Sequence, residues 1–334
     1  MVTLKELARL LNVSVSTVSK ALSDSSEIGE ATKRRVNELA TQLNYKPNRI
    51  AQQLKSSQTK VVGVIVPSLM NPFFAEVVHG IETTLTENDY DMTICISNEK
   101  LEKEKRSFDL LSTGSVDGFI VAVARETQMT YDIEHFETVN KSTPLVMFDR
   151  VLNDVKCNKV VVDDFNTVYE ATKYFIEKEH RKNILLISRI EELSVGKQRI
   201  KGYEKAMEES GLVPEVLRLG GVENPRPVIY DYIQKHNTID AIISIDHITG
   251  VMALNKANKL GKNVPKDISV IGFGYADVEF ISSPQISVIN QKAFQIGKRS
   301  AEILLHQLQP NTKPELKTEM VKSELILRET TKKA

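Results

Sequence analysis

The sequence predicts a small N-terminal all-α domain of helix-turn-helix type, followed by an α/β domain of doubly wound parallel sheets in two lobes. Three observations carry this. In the first forty-five residues, apolar positions recur at helical spacing in three short stretches. From Lys60 onward, short apolar runs alternate with helix-like stretches, the pattern of strand–helix–strand units in a parallel sheet. That region of about 270 residues is longer than one such sheet needs, so two lobes are expected.

Leu4, Leu7, Ala8 and Leu11 fall at i, i+3, i+4 and i+7 and mark one face of a first helix. Thr3 and Glu6 supply the T-x-x-E capping box that starts it. Asn12-Val13 breaks the pattern, and Ser14 is the N-cap of a second helix running to about Leu22. Val36, Leu39, Ala40 and Leu43 mark a third, from near Gly29 to before Asn44-Tyr45-Lys46-Pro47. The break between the first two is tight enough for a helix-turn-helix. Beyond Lys60 the apolar runs are Val61–Val66, Met92–Ile96, Phe119–Ala122, Leu145–Phe148, Val160–Val162, Ile184–Ile187, Ala241–Ile245 and Val270–Ile271, with a strand-like Met320–Leu327 near the end. Helical stretches at Pro72–Asn88 and Glu99–Leu111 separate the earliest of them.

The 334 residues are 41% hydrophobic, enough for at least one large core. No window approaches the ~18 consecutive apolar residues that cross a bilayer. Met1-Val2-Thr3-Leu4-Lys5 runs straight into a charged periodic segment without a signal-peptide core, so a cytoplasmic protein with no membrane partner is expected. Cys95 and Cys157 fit a reducing compartment and read as packing residues. The net charge of zero hides an asymmetry. Residues 1–60 hold ten Lys and Arg against five Asp and Glu, a net of +5, and the remainder carries −5. A basic module on an acidic body points to a polyanion met by the first sixty residues alone, although the count by itself fits ordinary surface variation equally well.

The second helix has the residue types for that contact. Val15, Ser16, Thr17, Ser19 and Lys20 are small or polar, while Val18, Ala21 and Leu22 can face inward. Small hydroxyl residues let a helix enter the major groove, where Lys20 can reach guanine O6/N7 and Val15 a thymine methyl. A Ser-rich solvated face is the alternative.

V-T-L-K-E-L-A-R-L-L-N-V-S-V-S-T-V-S-K-A-L, then E-A-T-K-R-R-V and L-N-Y-K-P-N-R-I-A-Q-Q-L, closely resemble the lactose repressor (LacI/GalR) family. The resemblance implies that Ser14, Val15, Ser16, Thr17, Ser19 and Lys20 stand where a recognition helix meets operator DNA, with Thr3 and Thr32 at phosphates. It also implies a hinge helix at Arg49-Ile50-Ala51-Gln52-Gln53-Leu54, with Arg49, Ala51, Gln52 and Leu54 on DNA and the leucine wedged into the minor groove. So short a helix cannot stand alone in water and orders only when two copies pack on DNA. The domain division expected is therefore 1–46 for the helix-turn-helix, 47–60 for the hinge and linker, and 61–330 for the sensor.

The resemblance continues through V-G-V-I-V-P-S-L-M-N-P-F-F, V-D-G-F-I, P-L-V-M-F-D-R and N-V-P-K-D-I-S-V-I-G-F. It implies a fold like the periplasmic sugar-binding proteins, crossing between lobes near Val162, Asn290 and Ser323. Lobe 1 is then about 61–161 with 291–322, and lobe 2 about 162–290 with 323–330. Ligands of doubly wound folds bind at the carboxyl ends of strands, which puts the site between the lobes. Asn71, Phe73 and Phe74 follow the first strand, and the two rings can stack on a sugar or base or simply staple a helix start. Asp149 stands where family members bond ligand hydroxyls, unless it only pairs with Arg150. Arg199 matches an arginine that reaches the ligand. Asp246 either binds or caps the next helix. Gly274 occupies a place where sugar-sensing members carry an aspartate, and Tyr275 beside it can stack on a larger ring or fill space.

His79, His135, His180, His236, His247 and His306 are scattered, and no nucleophile elbow, P-loop or dinucleotide fingerprint is present. The expectation is a non-enzyme without metal or cofactor. The resemblance implies a sequence-specific transcription regulator, a repressor by family analogy, on a pseudo-palindromic double-stranded operator. The effector implied is a sugar or sugar derivative. A catabolite-type regulator controlled by a protein co-regulator shares every motif. One helix-turn-helix per chain calls for a homodimer, and the tail after Leu327 lacks the leucine heptads of a tetramer.

Overall fold

The computed structural model describes residues 2–45, 58–274, 282–310 and 315–332. The chain forms two compact units, Met1–Thr59 and Lys60–Ala334.

In the first unit, α1 (Leu4–Leu11) opens on the full capping box between Thr3 and Glu6 and closes on Asn12 in the left-handed region. That residue turns the chain into Ser14, the N-cap of α2 (Val15–Leu22), and α3 (Glu30–Gln42) follows Gly29. Leu7, Ala8, Val18, Ala21, Val36 and Ala40 bury one small core among the three helices. The hydrophobic positions read at helical spacing are the ones that face inward.

The second unit is two six-stranded sheets. The first contains β1 (Val61–Val66), β2 (Asp91–Ile96), β3 (Gly118–Val121), β4 (Leu145–Phe148), β5 (Asn158–Val162) and β11 (Thr318–Val321), in the order β11-β5-β4-β3-β1-β2, all parallel. The second contains β6 (Ile184–Ser188), β7 (Glu215–Arg218), β8 (Ala241–Ser244), β9 (Ser269–Gly274), β10 (Ser287–Asn290) and β12 (Glu324–Ile326), in the order β12-β10-β9-β8-β6-β7, with only β12 antiparallel. On one face of the first sheet lie α4 (Pro72–Thr86) and α12 (Ala293–Gln307); on the other lie α5 (Leu101–Leu111), α6 (Arg125–Thr130) and α7 (Glu134–Val139). The second sheet is covered by α8 (Asp164–Glu177) and α9 (Ser194–Glu209) on one side, and by α10 (Pro225–Lys235) and α11 (Thr249–Lys259) on the other.

In each lobe one helix pair meets backbone to backbone at glycine. A Cβ on Gly297 of α12 would overlap the Val77 carbonyl oxygen of α4, and one on Gly202 of α9 would overlap that of Phe165 on α8. No other residue fits such an approach.

The chain passes between sheets after β5, after β10 and between β11 and β12. The strand-like stretch Met320–Leu327 is thus not one strand. Lys322-Ser323 breaks it, and its halves join different sheets. Two strands carried no strong apolar signal: edge strand β7, where only Leu217 is buried, and β10. Among the described residues, no helix is long and apolar enough to cross a membrane.

Candidate functional site

The outward side of α2 is built by its cap. The Ser14 hydroxyl accepts the Thr17 N–H at 3.0 Å and lies 2.7 Å from Ser16 Oγ and 2.8 Å from Thr17 Oγ1. Three hydroxyls are therefore organised at one helix N-terminus, where exposed N–H groups favour an anion. Val15 is exposed, Ser19 half-exposed, and Lys20 reaches Glu27 in a solvent-accessible ion pair. Such a pair is worth about 0–1 kcal/mol, so a phosphate or guanine can displace it. Thr3 caps α1 and Thr32 sits in the first turn of α3. Arg49, Ala51, Gln52 and Leu54 lie outside the described residues.

In the second unit, a cavity of about 350 Å³ opens where the carboxyl ends of both sheets converge. Eight strand ends contribute to its wall. Asn71 and Phe73 follow β1, Glu99 follows β2, Arg125 follows β3, and Asp149 and Arg150 follow β4. From the other lobe come Arg189 after β6, Ile245, Asp246 and His247 after β8, and Phe273 and Gly274 at the end of β9, while Gln291 sits at the crossover after β10.

The residues singled out in the sequence take different parts here. Asn71 caps α4 by accepting the Phe73 N–H at 3.1 Å. Phe73 is half-buried in the cavity wall, whereas Phe74 is 1% exposed and packs edge-on to Phe73 and Phe148 in the core of its lobe. Asp149 is buried with a left-handed backbone, φ 54°, and Arg150 Nε lies 4.0 Å from its carboxylate. Arg150 itself is spent on Glu99, with bonds of 2.8 and 2.6 Å. Arg199 donates Nε–H to Asp164 at 2.7 Å and a second N–H to the Ile245 carbonyl at 2.8 Å, and its guanidinium lies 3.9 Å from the Phe273 ring centroid. Among the described residues these bonds use two of its five N–H donors, and the side chain lines the cavity. Asp246 turns its carboxylate to the start of α11, accepting the Ile248 and Thr249 N–H groups and the Thr249 hydroxyl at 2.7 to 3.0 Å. It starts the helix, as one of the two alternatives has it, and it also lines the cavity. Tyr275 lies outside the described residues.

Burial sets the charge state of this wall. It pushes the Asp149 carboxyl above its usual range, against the pull of the Arg199 and Arg150 charges. It lifts Asp164 to about 6, with Arg199 pulling it down and Asp149 adding to the rise. Both acids share one arginine, and Asp164 holds its proton more tightly for the presence of Asp149.

The lobes are also joined beside the cavity. Arg125 pairs with Glu192 and donates to the Arg189 carbonyl at 3.2 Å. Gln128 and Ser194 exchange two hydrogen bonds, of 3.0 and 3.2 Å. Sequence reasoning passed over Glu99, Arg125, Arg189, Phe273 and Gln291. The signal that finds the first four is position alone, since each follows or ends an apolar strand, whereas Gln291 follows β10, whose apolar signal is weak.

Residues 3–48 match the family described as bacterial regulatory proteins, lacI family, and residues 59–331 match periplasmic binding proteins and sugar binding domain of LacI family. The HTH-type transcriptional repressor PurR of Photobacterium profundum is 31% identical over 337 residues, 99% of each chain. The HTH-type transcriptional repressor CytR of Escherichia coli (strain K12) is 28% identical over 311 residues, 92% of this chain and 90% of its own. The lac repressor dimer bound to operator and the anti-inducer ONPF shares the fold, with a TM-score of 0.88 at 21% identity over 99% of each chain.

Proposed function

The chain belongs to the lacI family of bacterial regulatory proteins, and we propose that it is a dimeric repressor whose grip on a pseudo-palindromic operator is set by a polyhydroxylated effector bound between its lobes. It is a DNA-binding transcription regulator with a ligand-binding domain of the periplasmic type. The observation that carries the effector reading is the convergence of both sheets' carboxyl ends on one polar-walled cavity. Asp149 offers a desolvated acceptor for ligand hydroxyls, Arg199 offers a planar fork of donors already oriented by Asp164, and Phe73 offers a ring face.

The two lobes contribute opposite walls, so a ligand touching both favours one lobe arrangement over another. That difference in affinity is what moves an equilibrium. The rearrangement reaches the helix-turn-helix through residues 47–60, the covalent link between the two units. A coupling of ~1–3 kcal/mol changes operator affinity ~5–150-fold. At the DNA end, Ser14, Val15, Ser16, Thr17, Ser19 and Lys20 meet the operator, and Thr3 and Thr32 hold phosphates.

The test is selection of bound duplexes from a random pool with the full-length protein. The reading expects one enriched pseudo-palindrome bound by two chains, with affinity falling ~10³–10⁵-fold between 50 and 200 mM salt if ~6–10 phosphates are neutralised. Enrichment of no sequence, or binding indifferent to salt, contradicts it.

A further inference from the structure

Resting on the effector reading above, we propose that the effector carries an anionic group, a carboxylate or a phosphate monoester, held by Arg189. Four arginines line the cavity, Arg125, Arg150, Arg189 and Arg199. Three are committed within the protein: Arg125 to Glu192, Arg150 to both oxygens of Glu99, and Arg199 to Asp164 and the Ile245 carbonyl. Among the described residues, the Arg189 guanidinium has neither a hydrogen bond nor an ion pair; only its backbone carbonyl is used, by Arg125.

The acids of the wall do not offset it. Glu99 is held by Arg150 and by the Arg125 N–H, and Asp246 is turned onto the N–H groups that start α11. Glu76 of α4 and Asp149 after β4 belong to the other lobe, and burial pushes the Asp149 carboxyl toward its neutral form. Desolvation, and after it the Arg189 charge, lower the pKa of His247 against Asp246, so Arg189 projects its charge on the same wall. An arginine half-buried in a cavity wall is matched by a planar or tetrahedral oxyanion, with a charge-assisted bond about twice as strong as a neutral one. A second unused donor lines the same cavity. Gln291 Nε2 is buried without a hydrogen-bond partner among the described residues.

The placement also fits the sensor's task. The buried acceptor Asp149 belongs to the first lobe and the cation Arg189 to the second. A molecule with hydroxyls at one end and an acid at the other is held by both lobes at once, and a neutral sugar leaves the cation unanswered.

The experiment is calorimetric titration of the full-length protein with matched pairs: ribose and ribose 5-phosphate, glucose and glucose 6-phosphate, glucose and glucuronate, glucitol and gluconate. The proposal expects an acid that binds at least about tenfold more tightly than its neutral counterpart, a margin that Arg189→Gln removes and Arg189→Lys partly keeps. The phosphate and carboxylate pairs separate the two sources of the anion. The Arg189 side chain has no fold partner among the described residues, so the variants should melt with the parent, which a thermal scan checks. A neutral sugar that binds as well as its acid and shifts operator affinity overturns the anionic assignment and leaves the effector reading standing. An acid that binds through Arg189 without moving operator affinity does the reverse. Failure of every pair to bind, or an acid preference that survives Arg189→Gln, overturns the assignment of Arg189.

Discussion

Arg199 of α9 holds Asp164, the first residue of α8, through a 2.7 Å bond between two nearly buried side chains. The residue expected from family resemblance to meet ligand therefore also carries structure. Arg199→Ala leaves Asp164 buried and unpaired, and should lower stability by about 3–5 kcal/mol. Chemical denaturation of the second unit reads this directly. Asp149→Asn, which keeps the side chain's shape, is then the cleaner probe of ligand response. A destabilisation below about 1 kcal/mol for Arg199→Ala would show that the pair is not structural.

Asp164 makes the same unit sensitive to pH. Its carboxyl ionises near 3.8 ordinarily and at about 6 in the fold. Below 3.8 both states are protonated. As pH rises from about 4 through 6, the unfolded state ionises first, and stability is lost by up to about 3 kcal/mol from this group. Denaturant midpoints measured from about pH 4 to 7 should fall more steeply for the parent than for Asp164→Asn. Parallel profiles would refute this.

The Gln128–Ser194 pair joins α6 of one lobe to the start of α9 in the other. Gln128→Ala removes both bonds, each worth about 1 kcal/mol. Exchange of the Ser194 amide hydrogen should speed up about five- to thirtyfold, while amides in the centre of β6 stay protected. An unchanged Ser194 amide would mean that this contact does not hold the lobes.

Leu7 is fully buried at the centre of the three-helix core. Leu7→Ala should cost about 2–5 kcal/mol, a large share of what so small a unit has. Calorimetry should show the transition of the first unit lost or lowered and that of the second unmoved. A single shared transition that shifts as a whole would contradict this expectation.

The helices of the first unit were legible because their signals are local. The capping box at Thr3 and Glu6, the cap at Ser14 and the apolar spacing act over four to eight residues. The buried parallel strands were legible as continuous apolar runs, while edge strand β7 was not, because only Leu217 of it is buried. The cleft was legible in part. Asp149 and Arg199 were reached through the family pattern, but Asp246 and Phe74 serve the fold more visibly than the cavity. Glu99, Arg125 and Arg189 lie far apart in sequence, and only the meeting of two sheets' carboxyl ends brings them to one wall. No local spacing encodes that.

The most direct test of the central claim is the affinity of full-length protein for its selected duplex, measured by fluorescence anisotropy across a panel of polyhydroxylated metabolites. Parent and Asp149→Asn are compared at fixed salt. The account predicts one chemical class that changes the parent's affinity ~5–150-fold and a variant that responds at least about tenfold less. If the parent's affinity is unmoved by every such molecule, or parent and variant respond alike, the cleft is not the sensor, and a protein co-regulator on the outer surface becomes the better explanation.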